Sequence, residues 1–134
     1  MASIKVLHID DESEFLEVTK EFLEKGGEIQ VESEDAAESV LPRLLRNRYD
    51  VIVSDYQMPN MNGLQLLKSL KRCGYTTPFI IFTGKGREEI AIEALNSGAS
   101  FYLQKGGDPR VQFGLLRNAI MQLANRSEKE ARPI

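Results

Sequence analysis

Cysteine and histidine each occur once, at Cys73 and His8, and tryptophan is absent. One thiol cannot form an internal disulfide, so a reducing cytoplasm is the expected setting. Cys73, beside Gly74 near a helix end, is expected to be an ordinary half-buried thiol. One imidazole with no cysteine nearby cannot build a soft-metal site, and His8 sits within an apolar run, so a structural or surface role is expected for it. No stretch approaches the ~20 apolar residues of a membrane span, and no signal pattern precedes the first apolar run. A basic surplus is lacking too. The 17 Lys and Arg face 20 Asp and Glu, a net charge of −3, which gives no electrostatic reason to bind nucleic acid or acidic lipid. Internal repeats and low-complexity tracts are also missing.

What is present is ordinary globular composition: 134 residues, 42% hydrophobic and 28% charged. That length suits one domain able to bury about two thirds of its unfolded surface without staples. Short aliphatic or β-branched runs recur at 4–9, 29–31, 51–54, 79–82 and 101–103. A segment of helical period follows each. Phe15, Leu16, Thr19, Phe22 and Leu23 form one stripe, with Ser13 as the expected N-cap. Ser33 is the expected cap of a second helix to about Asn47, kinked at Pro42. Leu64, Leu67 and Leu70 mark a third. Ile90, Ala91, Ala94, Leu95 and Gly98 mark a fourth, with Ile92 roughly 100° off the stripe. A fifth starts near Pro109 and carries Leu116, Ala119, Ile120 and Leu123.

Five strands alternating with five helices predict an α/β fold: a doubly wound, five-stranded parallel sheet of order 2-1-3-4-5, flavodoxin-like. Residues 1–124 form the expected domain. The apolar period stops after Leu123, and 125–134 reads either as a frayed tail or as the start of a linker.

In such a sheet ligands bind beyond the carboxyl ends of the strands. Those ends carry Asp10, Asp11 and Glu12 after the first strand, Asp55 after the third, Thr83 after the fourth, and Gln104 and Lys105 after the fifth. Aspartates sharing a small cleft raise one another's pKa unless a cation neutralises them, and an all-oxygen cluster suits a hard ion such as Mg²⁺. A carboxylate nucleophile, a hydroxyl, an ammonium and a cation together suit phosphoryl transfer, whose transition state spreads negative charge over oxygen. Asp55 is the candidate nucleophile, forming an acyl phosphate. An acidic pair before a helix is often only a favourable charge at its N-terminus, a lone threonine a β-former, and a lone lysine a solvated charge. Their convergence on one sheet edge weighs against those bland readings.

Five stretches carry a resemblance to the receiver domain family of two-component response regulators: 6–12 (VLHIDDE), 50–63 (DVIVSDYQMPNMNG), 81–84 (IFTG), 94–99 (ALNSGA) and 101–105 (FYLQK). The resemblance implies Mg²⁺ held by Asp11, Asp55 and the Gln57 carbonyl, with Asp10 acting through a water. It implies Asp55 as phosphoacceptor, Lys105 as the phosphate-pairing lysine, Thr83 as switch hydroxyl and Tyr102 as switch aromatic, and Gln57 and Lys85 as residues tuning phosphoryl lifetime. It further implies a histidine kinase as donor, self-catalysed phosphorylation and dephosphorylation without a separate substrate, and output through the fourth helix, fifth strand and fifth helix to an output domain or docking protein. The family's proline after the lysine is replaced by Gly106-Gly107, for which a trans peptide is expected. The Gly-Gly-Asp-Pro ending looks like receivers fused to sensor kinases, so a longer parent chain of that kind is one expectation.

Other classes fit less well. An FMN carrier needs a hydroxyl- and glycine-rich loop where Asp10-Asp11-Glu12 would repel phosphate. A phosphatase with an aspartyl nucleophile places a second acid where Gln57 stands. Gly84-Lys85-Gly86 fails as a nucleotide fingerprint, because Glu89 takes the third glycine's place. A degenerate receiver acting as a phosphorylation-independent interaction module is the remaining alternative, although no charged group of the set is missing.

Overall fold

The structure, a computed structural model, describes residues 3–84 and 88–131, with side chains as far as 126. Its elements run β1 (Ile4–Ile9), α1 (Ser13–Glu24), β2 (Ile29–Glu34), a 3₁₀ turn (Ala37–Ser39), α2 (Val40–Leu44), β3 (Val51–Ser54), α3 (Gly63–Arg72), β4 (Phe79–Thr83), α4 (Glu88–Asn96), β5 (Phe101–Gln104) and α5 (Pro109–Ala131). The five strands form one sheet of order β2-β1-β3-β4-β5, and every pairing is parallel. This is the expected flavodoxin-like architecture.

Alternation along the strands divides the core into two layers. Leu7, Ile9, Ile52, Phe79 and Ile81 face α2, α3 and α4, where they meet Val40, Leu44, Leu66, Leu67, Leu70 and Ala94. Val6, Val51, Val53, Ile80 and Phe82 face α1 and α5, meeting Leu23, Phe113, Leu116, Ile120 and Leu123. The central strands are apolar on both sides because helices cover both faces, which is why their runs do not alternate.

Several local expectations change. Ser13 is the first residue of α1, and Glu12 is its N-cap without a side-chain cap bond. Ser33 lies inside β2, which continues to Glu34. The second helix shrinks to a 3₁₀ turn and five residues of α2, with Pro42 in the first turn, where a missing N–H loses no intrahelical bond and no kink results. Ion pairing anchors this short helix: Arg43 donates to Glu34 at 2.5 Å and to Glu32 at 2.7 Å, and the Tyr49 hydroxyl donates to Glu32 at 2.5 Å. Cys73 is exposed, at the C-cap of α3. On α4 only Ala94 is buried, and both Leu95 and Ile92 are about half exposed, at 49% and 54%. Helix α5 continues through Ala131, past the end of its apolar period. No helix among the described residues is long and apolar enough to cross a membrane.

Helix α3 starts with a reciprocal cap. Asn62 Oδ1 accepts from the Gln65 N–H at 2.8 Å, and Gln65 Oε1 accepts from the Asn62 N–H at 2.9 Å. This pair satisfies two otherwise orphaned donors immediately after the loop that carries Asp55. Asn62→Ala is expected to lower stability by about 1 kcal/mol in urea denaturation, whereas Asn62→Ser should largely preserve it.

Candidate functional site

The sheet register brings the site together. Beyond the strands, the Asp10 N–H donates to Glu34 O at 3.1 Å, Asp55 N–H to Ile9 O at 2.9 Å, and Lys105 N–H to Thr83 O at 3.0 Å. Asp10, Asp55 and Lys105 are thus each held by one further ladder bond past their strands, and they stand on the same edge. One carboxylate oxygen from each of Asp10, Asp11 and Asp55 lies within 4.8 Å of the others. Asp10 and Asp55 are buried and Asp11 is exposed. The cleft above them, about 510 Å³, is also lined by Gln57, Met58 and Lys105.

Asp10 has two duties. Its Oδ1 accepts the Glu12 N–H at 2.9 Å, a side-chain turn that leads into α1, and its Oδ2 accepts from Lys105 Nζ at 2.6 Å. The same ammonium is 3.6 Å from Asp55 Oδ1 and 4.2 Å from the centroid of the Phe15 ring. Asp55 Oδ1 also accepts the Tyr56 N–H at 2.9 Å, and the Thr83 hydroxyl hydrogen-bonds the same carboxylate.

The loop after β3 is folded tightly to hold Asp55. The Ser54 hydroxyl donates to the Asp55 carbonyl at 2.8 Å, and the Gly63 N–H donates to the Tyr56 carbonyl at 2.8 Å. A Cβ on Gly63 would overlap the Asp55 carbonyl oxygen, so only glycine fits there. Asn60, at φ 70°, turns the chain between them, in the left-handed region that asparagine tolerates better than most residues.

A sequence model for the family described as response regulator receiver domain matches residues 6–115. The chain belongs to that family.

Known receivers agree in sequence and in shape. The response regulator protein FleR of Pseudomonas aeruginosa is 34% identical over 125 residues, which cover 92% of this chain and 26% of that protein. The response regulator SaeR of Staphylococcus aureus is 33% identical over 118 residues, covering 88% of this chain and 51% of SaeR. The chain therefore spans about half or less of the length of these relatives. The receiver domain of Francisella response regulator 1452 superposes with a TM-score of 0.84 at 32% identity, over 93% of this chain and 99% of that one.

In this receiver Asp55 is 6% exposed, and burial chiefly raises its pKa. The nearby Asp10 charge pushes the same way, while the Thr83 hydroxyl, Lys105 and the Tyr56 N–H oppose it. An acidic cluster of hard oxygens with a raised carboxyl pKa is chemically suited to a hard divalent cation, which would favour the ionised form. His8 is wholly buried on β1, and burial, with Lys105 adding to it, lowers its pKa to about 3. Its neutral ring meets Phe15 edge-on, with centroids 6.1 Å apart, so its role is packing.

Tyr102 packs partly buried against the α3-side core, beside Tyr56. Its hydroxyl is buried without a hydrogen-bond partner, and burial, Tyr56 and Asp55 raise its pKa in that order. The bond between Lys105 and Gly106 is trans, and Gly106 and Gly107 take φ of 123° and 75°, conformations that favour glycine. Gln57 lines the cleft, and Lys85 lies outside the described residues. Sequence reasoning placed Phe15 only in the core. Its position in the first turn of α1, five residues beyond Asp10, was the available signal that its ring also reaches the site.

The raised Asp55 pKa has a stability consequence. The folded state favours the protonated acid, so stability is lost as pH rises from the ordinary value of 3.8 through the higher folded value. Asp55→Asn removes that penalty. Without divalent cations the variant should melt a few degrees above wild type at pH 7, and the difference should vanish in acid below 3.8.

Proposed function

We propose that this receiver accepts a phosphoryl group on Asp55 from the phosphohistidine of a histidine kinase. The observation that carries the proposal is the position of Lys105 Nζ, 2.6 Å from Asp10 and 3.6 Å from Asp55, at the mouth of a three-carboxylate cluster. An Asp55 carboxylate oxygen attacks phosphorus, the phosphorus–nitrogen bond to the donor imidazole breaks with its electron pair leaving on nitrogen, and an acyl phosphate forms. The Lys105 ammonium and the Thr83 hydroxyl, already directed at Asp55, take up charge on the transferred oxygens. Asp11, Asp55 and the Gln57 carbonyl would hold Mg²⁺, with Asp10 behind them, and the ion supplies positive charge to both the carboxylates and the transferring group.

The remaining roles extend this reading. Thr83 and Tyr102 stand on neighbouring strands and form the switch, which acts on the surface of α4, β5 and α5. The exposed apolar side chains Ile92, Leu95, Val111 and Leu115 on those helices suit an output domain or docking protein. Gln57 and Lys85 set the lifetime of the acyl phosphate. Residues 1–124 make the receiver unit, 125–134 form its tail or the start of a linker, and the chain works in the cytoplasm without binding nucleic acid or membrane.

Intact mass after incubation with acetyl phosphate and Mg²⁺ tests the proposal. Wild type should gain one phosphoryl group, and Asp55→Asn or added chelator should abolish the gain. No gain by a folded, Mg²⁺-binding wild type would overturn it in favour of a phosphorylation-independent interaction module.

A further inference from the structure

A lysine acts in phosphoryl transfer only where its ammonium is held, and four rotatable bonds separate that ammonium from the backbone. Here the backbone beyond Lys105 is Gly106-Gly107, tied to α5 by the Gly106 N–H, which donates to Gln112 Oε1 at 2.7 Å. On the preceding side β5 is paired with β4 as far as Gln104, and the Lys105 N–H donates to Thr83 O. These bonds fix the backbone, but the end of so long a side chain is located by what it touches. Two of those groups are oxygens, Asp10 Oδ2 and Asp55 Oδ1. The third is the Phe15 ring, with Nζ over it at 4.2 Å.

The ring is well placed to hold a charge. It packs against Phe82 and Phe113 with centroids 5.7 Å away in each case, so its plane is set by the α1–α5 core. The Lys105 side chain is only 15% exposed, which strengthens attraction to the negative ring face. This attraction does not consume an N–H donor and does not depend on one oxygen being in place. An ammonium on the ring can therefore move from Asp10 toward new oxygens on Asp55 without losing its support.

We propose that Phe15 is a positioning residue for phosphoryl transfer, its ring face holding the Lys105 ammonium between Asp10 and Asp55. The proposal rests on the receiver reading of the site. It concerns how Lys105 is delivered, so its failure can be told apart from failure of that reading.

The test compares phosphorylation rates with acetyl phosphate and saturating Mg²⁺ for wild type, Phe15→Leu, Phe15→Met, Phe15→Tyr and Phe22→Leu. Phe22 also packs on Phe113, with centroids 5.3 Å apart, but its ring is not under Lys105, so its variant controls for lost packing. Phe15→Leu and Phe15→Met should each slow the reaction about three- to tenfold, Phe15→Tyr should restore it, and Phe22→Leu should leave it unchanged. Mg²⁺ affinity by calorimetry should be the same in all five proteins. The upfield ring-current shift of the Lys105 ε protons should be present in wild type and Phe15→Tyr and lost in Phe15→Leu. Wild-type rates in both apolar variants, equal slowing in Phe22→Leu, or no rescue by tyrosine would overturn the proposal. If one apolar variant fails to fold, the other decides. A wild type that takes up no phosphoryl group would overturn the receiver reading, and the positioning role with it.

Discussion

Three carboxylates converging within 4.8 Å on one sheet edge are the constraint around which the rest of the site is arranged. Two unit charges 4 Å apart repel by about 4 kcal/mol at the effective dielectric of a protein surface, a sizeable share of a small domain's stability. One ammonium, Lys105, offsets part of that repulsion by pairing with Asp10. Burial keeps Asp55 biased toward its protonated form even so. The cluster is thus left with an electrostatic demand that a hard cation or an incoming phosphoryl group with its counter-ion can meet, which is a physical reason for the site to respond to both.

The fold supplies the rigidity this demands. Parallel order places the carboxyl ends of β1, β3, β4 and β5 together, and ladder bonds continue one residue beyond the strands to seat Asp10, Asp55 and Lys105. Apolar layers on both faces prevent the sheet from relaxing away from the crowded charges. The Gly63 approach to the Asp55 carbonyl and the Asn62–Gln65 cap then fix the loop from which Asp55 projects. Ile81 pairs in register with Tyr102, and Thr83 with Gln104, so Thr83 and Tyr102 sit on adjacent strands two residues apart in register. In the proposed switch, a change at Asp55 has a short path to the α4 face, where only Ala94 is buried. Coupling of about 1–3 kcal/mol is enough to shift such a surface.

Much of this was legible in the sequence because it depends on period and on residue chemistry at strand ends. Five apolar runs and their intervening helical stripes gave the sheet, its order and the positions of Asp10, Asp11, Asp55, Thr83 and Lys105. The second helix starts later than its sequence suggests because Ser33 looks like a cap, while side-chain pairing to Arg43 holds Glu32 and Glu34 in the strand. The Asn62–Gln65 box was written in the sequence but was overshadowed by the motif preceding it. Cys73, expected half-buried, and Leu95, expected on the apolar stripe, are more exposed because apolar period does not reveal how lightly a helix packs. The place of Phe15 just beyond Asp10 hints that its ring nears the site, but its contact with Lys105 joins residues far apart in the chain through a side-chain trajectory that only the fold sets.

The most direct measurement of the electrostatic constraint is a ¹³C-detected titration of the Asp55 carboxyl, with and without Mg²⁺. Without the ion its pKa is expected above 3.8, and adding Mg²⁺ should drive it sharply downward. A carboxyl titrating at its ordinary value in both conditions would contradict a buried, charge-crowded cluster awaiting a cation.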